Sequence, residues 1–254
     1  MQLIGLRRIL PKTLRRALRN DWNELLTWEH NYRERRFYRQ IIQPNDLVFD
    51  VGANVGRKTD AFLALGARVV AIEPNPNCIQ QLRDGFARAV RDGSLIIEPV
   101  AATRDARSVT LTVFNRESAI TSGSTEFVEY ARTIGEVASR ELTVKSVTLD
   151  ELVARHGIPT FIKVDAEGMD AEVLIGLTIP PRILSFEYHT APKLWNDTFR
   201  CFNEVKRLGF TEANLTSMAE PAFIYKTWIG IDQVLSRIKD WAKYGQHWGD
   251  VICR

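Results

Sequence analysis

A glycine turn that directly follows an apolar run constrains the fold of this chain more than any other feature. Residues 47–51 read L-V-F-D-V, which is typical of a short strand buried on both faces. They continue into the run D-V-G-A-N-V-G at residues 50–56. Gly52 allows a tight turn, and Gly56 allows a following helix to pack closely on the strand. This order of strand, turn and helix is typical of a nucleotide-binding unit, because the free N–H groups of the helix can face the ligand.

Helical and strand patterns alternate after this turn. The predicted strands lie at 69–72, 95–99, 161–164 and 183–188, and the predicted helices at 59–65, 76–90, 149–156 and 169–176. Such alternation is typical of βαβ units around a parallel sheet. Two strands with one exposed face are predicted at 108–114 and 143–147. The polar, irregular residues 115–140 between them are expected to form either a lid over the acceptor or a flexible loop.

The remaining residues indicate how the chain is divided. We predict a helix at 197–208, a strand pair within 210–228 and an amphipathic terminal helix at 231–244. Near the N-terminus, Pro11 divides two short predicted helices, and a third is predicted at 24–40. The expected segments are therefore a basic helical extension over 1–45, a ligand-binding core over 46–190 and a C-terminal completion of the sheet over 191–254.

Composition excludes several classes of protein. With 45% hydrophobic and 26% charged residues, the 254-residue chain is neither disordered nor fibrous. No apolar run approaches the roughly 18 residues of a spanning helix, and Arg7 and Arg8 interrupt the place of a signal peptide. We therefore expect a cytoplasmic protein. Cys78, Cys201 and Cys253 are too widely spaced for a disulfide framework or a C-x-x-C site, so we expect reduced thiols.

The positive charge is concentrated at the N-terminus. Residues 1–40 hold ten Lys and Arg against four acids, whereas the rest of the chain has a net charge of −3. An anionic partner is expected there first. Contact with an anionic lipid surface at the inner membrane face, or with a lipid-linked glycan, is favoured over nucleic acid. A purely structural cap is the remaining alternative.

Glu73 and Asp50 indicate which ligand the turn accepts. Glu73 ends the second predicted strand, where an acid can accept hydrogen bonds from both ribose hydroxyls of an adenosine. Alternatively, Asn75 and Pro76 simply cap the next helix. A dinucleotide and S-adenosylmethionine both fit this geometry. Asp50 opposes a pyrophosphate but suits a sulfonium that carries an amino group, so S-adenosylmethionine is favoured over a nicotinamide dinucleotide.

Asp165, Glu187 and His189 are the candidate catalytic residues. Asp165 follows the strand at 161–164, and Glu187 and His189 point to one side of the strand at 183–188 and its continuation. If these strands are neighbours, the three side chains converge beside the cofactor. Asp165 or His189 could remove a hydroxyl proton. Two alternatives stay open: a divalent metal site, which is possible but not favoured, and a structural role in capping and packing.

The assembled motifs resemble those of the FkbM family of S-adenosylmethionine-dependent methyltransferases. They are D-V-G-A-N-V-G at 50–56, I-E-P-N at 72–75, V-A-A-T at 100–103, V-T-L-D-E-L at 147–152, I-K-V-D-A-E-G at 162–168 and S-F-E-Y-H at 185–189. The resemblance implies a class I methyltransferase fold, a Rossmann-like α/β fold with a mostly parallel, seven-stranded sheet whose last strand is antiparallel. It also implies O-methylation of a hydroxyl of a sugar, a glycan or a natural product.

By position, the resemblance also implies a set of site residues. Asp165 would face the methyl-transfer centre, with Glu187 and His189 beside it. The cofactor would be bound by Asp50, Gly52, Ala53, Asn54, Gly56, Thr59, Glu73, Pro74, Asn75, Ala101 and Ala102. The acceptor would be a small molecule or a glycan. Two other function classes remain in view: a non-catalytic module that binds an adenosyl ligand, and a nicotinamide-dependent oxidoreductase.

Overall fold

The structure is a computed structural model that describes residues 31–114, 120–216, 221–245 and 247–254. Its strands are β1 (Leu47–Val51), β2 (Arg68–Ile72), β3 (Leu95–Glu98), β4 (Ala101–Ala102), β5 (Ser108–Phe114), β6 (Thr121–Ser122), β7 (Ala138–Val147), β8 (Phe161–Val164), β9 (Ile183–His189), β10 (Glu212–Leu215), β11 (Ile229–Gly230) and β12 (Trp248–Cys253). Its helices are α1 (31–38), α2 (Arg57–Ala64), α3 (Pro76–Gly85), α4 (Ala87–Asp92), α5 (Thr125–Thr133), α6 (Leu149–His156), α7 (Asp170–Ile175), α8 (Trp195–Arg207) and α9 (Ile231–Ala242).

Eight strands form the main sheet, in the order β11-β10-β12-β9-β8-β1-β2-β3. From β9 to β3 all neighbours are parallel, and β12 is antiparallel to both β9 and β10. The predicted α/β fold class, with its mostly parallel sheet and antiparallel last strand, is confirmed. The eighth strand is the two-residue β11, which pairs with the edge of β10. The strand order reverses between β1 and β8, which is where open α/β sheets bind ligands.

Helices cover both faces of this sheet. Successive side chains of β1 point in opposite directions, so β1 contacts the helices on both faces. Val48 belongs to an apolar cluster with Tyr38 of α1 and Phe62 of α2. Phe49 belongs to a second cluster, on the other face, with Leu152 of α6. Both faces of β1 are therefore buried, which explains its almost wholly apolar sequence.

Helix α1 packs directly on the sheet face beside β1. The rings of Tyr38 and Phe62 meet edge to face with centroids 4.8 Å apart. Arg182 fixes the end of this segment by donating a hydrogen bond of 3.0 Å to the carbonyl of Ile41. The third predicted helix thus ends at residue 38, and the helices predicted before residue 31 lie outside the described residues. None of the helices within the described ranges is long and apolar enough to cross a membrane.

The stretch 115–140 was predicted to be irregular, and this prediction is wrong for much of it. Residues 120–140 contain β6, α5 and the start of β7, while 115–119 lie outside the described residues. Ser124 caps the start of α5, because its side chain accepts a hydrogen bond from the Phe127 backbone N–H. Phe127 and Ala131 bury the inner side of this helix. Strands β4, β7, β5 and β6 form a second sheet in that order.

Two other boundaries differ from the sequence prediction. The helix predicted at 76–90 is divided into α3 and α4 at Phe86, because the Phe86 ring turns inward and packs over Gly56. The C-terminal strand β12 was not predicted, so α9 is not the last element. Strand β10 pairs with β12 along its length and with β11 at its start, and β12 separates it from β9.

We predict that Gly52→Ala lowers the free energy of unfolding by more than about 3 kcal/mol. Gly52 has φ +77, and an added Cβ would lie 1.9 Å from the carbonyl oxygen of Asp165. Gly93→Ala is the matched control, since Gly93 has φ +80 and open space around it. Gly93→Ala should lower the free energy of unfolding by about 1 kcal/mol, which is the effect of the left-handed backbone conformation alone. Urea unfolding measures both values. Equal losses for the two variants would show that the close contact with Asp165 adds nothing to the destabilisation by Gly52→Ala.

Candidate functional site

A cleft of about 600 Å³ opens where β1, β2 and β8 end. This volume lies in the range of sites for small molecules and cofactors. The loop after β1 forms one wall of the cleft, and the turn after β8, with Asp165 and Ala166, forms another. Leu111 of β5 and Thr121 of β6 also line the cleft, so the second sheet contributes to its walls.

The loop after β1 is held in an unusual backbone conformation. Gly52, Asn54 and Gly56 all have positive φ angles. The N–H groups of Gly52 and Ala53 both donate to the carbonyl of Ile72, at 2.9 and 3.2 Å. A Cβ at Gly56 would lie 2.4 Å from the Phe86 ring, so only glycine fits between α2 and that side chain. The predicted roles, a tight turn at Gly52 and close packing of a helix at Gly56, therefore agree with the backbone angles and contacts of the two glycines.

Asp50 supports this loop from below. Its side chain is only 1% exposed, and its Oδ2 accepts a hydrogen bond of 2.6 Å from the Thr59 hydroxyl of α2. Burial raises the pKa of Asp50 to about 6, although the Thr59 hydrogen bond acts in the opposite direction. The pair lies behind the wall of the cleft and fixes the start of α2 relative to β1.

Glu73 lies in the wall of the cleft at the end of β2. Its Oε2 accepts a hydrogen bond from the Asn54 backbone N–H at 2.8 Å, and its Oε1 accepts one from the Asn75 N–H at 2.7 Å. Burial raises the pKa of Glu73 to about 7, against the effect of these two hydrogen bonds. Each carboxylate oxygen keeps a second lone pair that a ligand hydroxyl can use.

The other predicted cofactor residues divide into two groups. Gly52, Ala53, Asn54, Pro74, Ala101 and Ala102 line the cleft together with Glu73. Among the described residues, Asp50, Gly56, Thr59 and Asn75 are behind this lining and support it. The Asn75 side chain accepts a hydrogen bond from the Asn77 N–H, which caps α3, and its amide donates to the Thr121 hydroxyl at 3.1 Å. Both predicted interpretations of this turn, capping and ligand contact, are therefore compatible.

Lys163 and Asp250 form a charged bridge with Asp165 that the sequence did not reveal. Lys163 is 1% exposed, and its Nζ lies 2.9 Å from Asp165 Oδ2 and 3.3 Å from Asp250 Oδ1. Burial alone would lower the pKa of Lys163, but the two carboxylates outweigh it and raise the pKa well above its ordinary value. All three side chains line the cleft. A lysine inside the apolar run I-K-V was a usable signal, but Asp250 lies on the unpredicted strand β12.

Glu187 and His189 form a second pair next to this bridge. His189 Nε2 and Glu187 Oε2 are 2.8 Å apart. Burial raises the pKa of Glu187. Burial lowers the pKa of His189, but the charge and hydrogen bond of Glu187 outweigh it, so the net pKa is raised. Glu187 lines the cleft with Asp165, whereas His189 is held behind Glu187. Asp165 and Glu187 therefore converge as predicted, and His189 contacts the site through Glu187.

Buried acids support the turn after β8. Asp170 accepts hydrogen bonds from the backbone N–H groups of Ala166 and Glu187, at 2.7 and 2.8 Å. This ties the turn to β9. Glu167 has φ +51 and lines the cleft, and burial raises its pKa well above the ordinary value. Across the described ranges, no group of three or more His, Cys, Asp or Glu side chains is arranged to hold a metal ion.

Comparison with known proteins identifies related sequences. The family model of the methyltransferase FkbM domain matches residues 50–211, well over half of the chain. The hexuronic acid methyltransferase AglP of Haloferax volcanii is 28% identical over 145 residues, which are 56% of this chain and 54% of that protein. The chain thus matches about half the length of this curated relative.

The solved structures that match most of the chain do so with low TM-scores and little sequence identity. The TehB-like SAM-dependent methyltransferase of Corynebacterium glutamicum has a TM-score of 0.44 and 10% identity, over 94% of this chain and 96% of that chain. The precorrin-6y C5,15-methyltransferase of Geobacter metallireducens has a TM-score of 0.42 and 12% identity, over 89% and 87% of the two chains.

We predict that the ligand-free protein loses stability as the pH rises from about 4.5 to 7, because of Glu73. The pKa of Glu73 is about 7 in the folded protein and lower in the unfolded chain. The folded state therefore binds the proton of Glu73 more tightly than the unfolded chain does. This difference stabilises the folded protein by about 3 kcal/mol at a pH below the pKa of Glu73 in the unfolded chain. The stabilisation is lost once the pH exceeds the pKa of Glu73 in the folded protein.

The measurement is urea unfolding of the wild type and of Glu73→Gln between pH 4.5 and 8. The variant should lack this part of the slope, whereas Glu141→Gln, at an exposed position of β7, should keep it. Parallel slopes for the wild type and Glu73→Gln would contradict the raised pKa.

Proposed function

Because the chain belongs to the FkbM methyltransferase family, we propose that it transfers a methyl group from S-adenosylmethionine to a hydroxyl of a sugar, a glycan or a natural product. The observation that carries this proposal is the position of Glu73. Its carboxylate lies in the cleft at the end of β2, fixed by two backbone N–H groups. An acid in this place is the usual partner of the two ribose hydroxyls of an adenosine.

The described residues fit each part of this cofactor. The small apolar side chains of Ala101 and Ala102 line the cleft and would lie against the adenine, and Glu73 would accept hydrogen bonds from the ribose. Arg57 lies at the first position of α2 and lines the cleft, so it could meet the carboxylate of the methionine part. S-adenosylmethionine, when bound, supplies an electrophilic methyl group on a positively charged sulfur. Near Asp165 the cleft is lined by the acids Glu167, Glu187 and Asp250 and by the base Lys163, so the excess of acids suits such a positive charge.

The charges in the cleft favour this cofactor over a nicotinamide dinucleotide. Among the residues that the structure describes, six acids line the cleft, against the three bases Arg57, Lys58 and Lys163. Lys58 and Lys163 each contact a carboxylate already. A pyrophosphate would bring two further negative charges into this surrounding, which is unfavourable.

Asp165 is the side chain best placed to take the proton of the acceptor. Its side chain is 32% exposed toward the cleft, while its Oδ2 contacts Lys163. With S-adenosylmethionine bound, the acceptor oxygen would form a bond to the methyl carbon, and the electron pair of the old carbon–sulfur bond would stay on sulfur. The O–H bond breaks, and its proton goes to the Asp165 carboxylate and then to water. The protein otherwise contributes by orientation.

The relative from Haloferax volcanii supports a sugar as the acceptor class, since it is described as a hexuronic acid methyltransferase. The support is limited to the class of molecule, because the two chains are 28% identical over about half of each.

Titration with three ligands tests the cofactor. We expect S-adenosylhomocysteine and S-adenosylmethionine to stabilise the protein by about 2.7 kcal/mol at 100 times their dissociation constants, and NAD to have no effect. Thermal shifts and calorimetry measure this. A response to NAD alone would favour the oxidoreductase, and silence from all three ligands would sink the cofactor assignment.

We predict that Asp165→Asn binds S-adenosylhomocysteine within about threefold of the wild type but transfers the methyl group at least about 100-fold more slowly. The amide keeps the shape of the side chain but does not accept the proton. Formation of S-adenosylhomocysteine in the presence of a glycoside acceptor measures the rate. The control is Asp84→Asn, on the exposed side of α3, with wild-type activity expected. Full activity of Asp165→Asn would remove Asp165 from the mechanism, and binding without turnover in the wild type would favour the non-catalytic module.

A further inference from the structure

The cleft extends beyond the proposed cofactor residues, into a region between α1 and β12. Phe37 and Tyr38 of α1 line it on one side, and Gly249 and Asp250 of β12 line it on the other. Thr216, which follows β10, lines it as well. All five of these residues lie outside the range 50–211 that the family model matches. This part of the cleft, which we call the acceptor half, is therefore built largely by segments outside the family match, around Lys163 and Asp165 at its base.

The base of the acceptor half is the bridge of Asp165, Lys163 and Asp250. The register of the sheet explains why the three residues meet. Asp250 pairs with Glu187 on β9, while Lys163 pairs with Ser185, two residues earlier on the same strand. Lys163 and Asp250 therefore share one face of the sheet, the face that α1 covers. The ammonium group holds two carboxylates together that would otherwise repel each other.

The two carboxylates have oxygens left for a ligand. Lys163 contacts Oδ2 of Asp165 and Oδ1 of Asp250. The side chains of Asp165 and Asp250 are 32% and 18% exposed, in contrast to the buried lysine. Two neighbouring hydroxyl groups can each donate a hydrogen bond to one of these carboxylates, and hydrogen bonds to ionised acceptors are the stronger kind.

The charge of the acceptor half opposes an anionic ligand. The bridge contains two carboxylates and one ammonium group, so it has one negative charge in excess. Lys58, which also lines the cleft, forms an ion pair with Glu34. Arg57 lies at the start of α2, next to the loop proposed for the cofactor. Lys58 and Lys163 are thus both engaged. Beside the uncharged sulfur of S-adenosylhomocysteine, a further carboxylate in the acceptor half would therefore meet net repulsion.

We propose that the acceptor half binds a neutral sugar through two adjacent hydroxyls, which donate to Asp165 and Asp250, and that it discriminates against uronic acids. The proposal rests on the proposed function and specifies its substrate class. Asp250 is the specificity residue, and Lys163 positions both carboxylates. This chain would then differ in acceptor from the relative described as a hexuronic acid methyltransferase.

Binding of simple glycosides to the complex with S-adenosylhomocysteine tests this proposal. The neutral probes are the methyl glycosides of glucose, mannose, galactose and rhamnose, and the anionic probes are the methyl glycosides of glucuronic and galacturonic acid. Saturation-transfer NMR and calorimetric titration give the dissociation constants. We expect at least one neutral glycoside to bind about tenfold or more tightly than either uronide, and addition of salt to reduce this difference.

The variant Asp250→Asn tests whether Asp250 binds a hydroxyl of the acceptor. It should weaken binding of the neutral glycoside by about tenfold or more and leave the affinity for S-adenosylhomocysteine unchanged. Asp240→Asn, at an exposed position of α9, is the matched control and should have no effect on either ligand. The comparison between neutral and acidic sugars uses the wild-type protein, so it remains decisive if Asp250→Asn does not fold.

The outcomes separate this proposal from the cofactor assignment. Equal or tighter binding of a uronide, or unchanged glycoside binding by folded Asp250→Asn, would overturn the proposal. Absence of binding by all six glycosides, with normal affinity for S-adenosylhomocysteine, would overturn the sugar as acceptor and leave the cofactor assignment intact. Failure to bind S-adenosylhomocysteine would instead contradict the proposed function itself.

Discussion

The close approach of two backbone segments organises this molecule. The loop after β1 and the turn after β8 meet at Gly52 and Asp165, with no room for a side chain at the glycine. The loop after β1 contributes Asn54 to the wall of the cleft, and the turn after β8 contributes Asp165. Because the two strands are neighbours at the reversal of strand order, this contact fixes the distance between the ligand-binding loop and the reactive carboxylate. Residues from other parts of the chain, such as Glu73 and Asp250, complete the cleft around these two segments.

The sequence predicts the first half of the sheet well because the signals there are local. The strand, turn and helix at 47–64 form one continuous pattern, and Glu73 follows from counting to the end of the next strand. The helix break at Phe86 has another cause. It depends on the packing of the Phe86 ring against Gly56, which is thirty residues away and invisible to a periodicity argument.

The candidate site shows the same division between local and distant contacts. Asp165 and Glu187 could be predicted because each lies at the end of a clear strand. Asp250 could not, because W-G-D-V-I-C becomes a strand only through pairing with β9 and β10, and strand preference depends strongly on such context. Lys163 was visible as a charged residue in an apolar run, but its role depends on that missing partner.

The position of β12 has a consequence for how the sheet is assembled. Strand β10 precedes β12 in the chain, yet among the described strands it is joined to β9 through β12, and its other partner is the two-residue β11. Until residues 248–253 are in place, β9 presents an open apolar edge, with Phe186 and Leu184 among its buried residues. Open edges of this kind can pair with other chains and lead to aggregation. Insertion of β12 therefore closes the sheet against misassembly in the same step that brings Asp250 to Lys163.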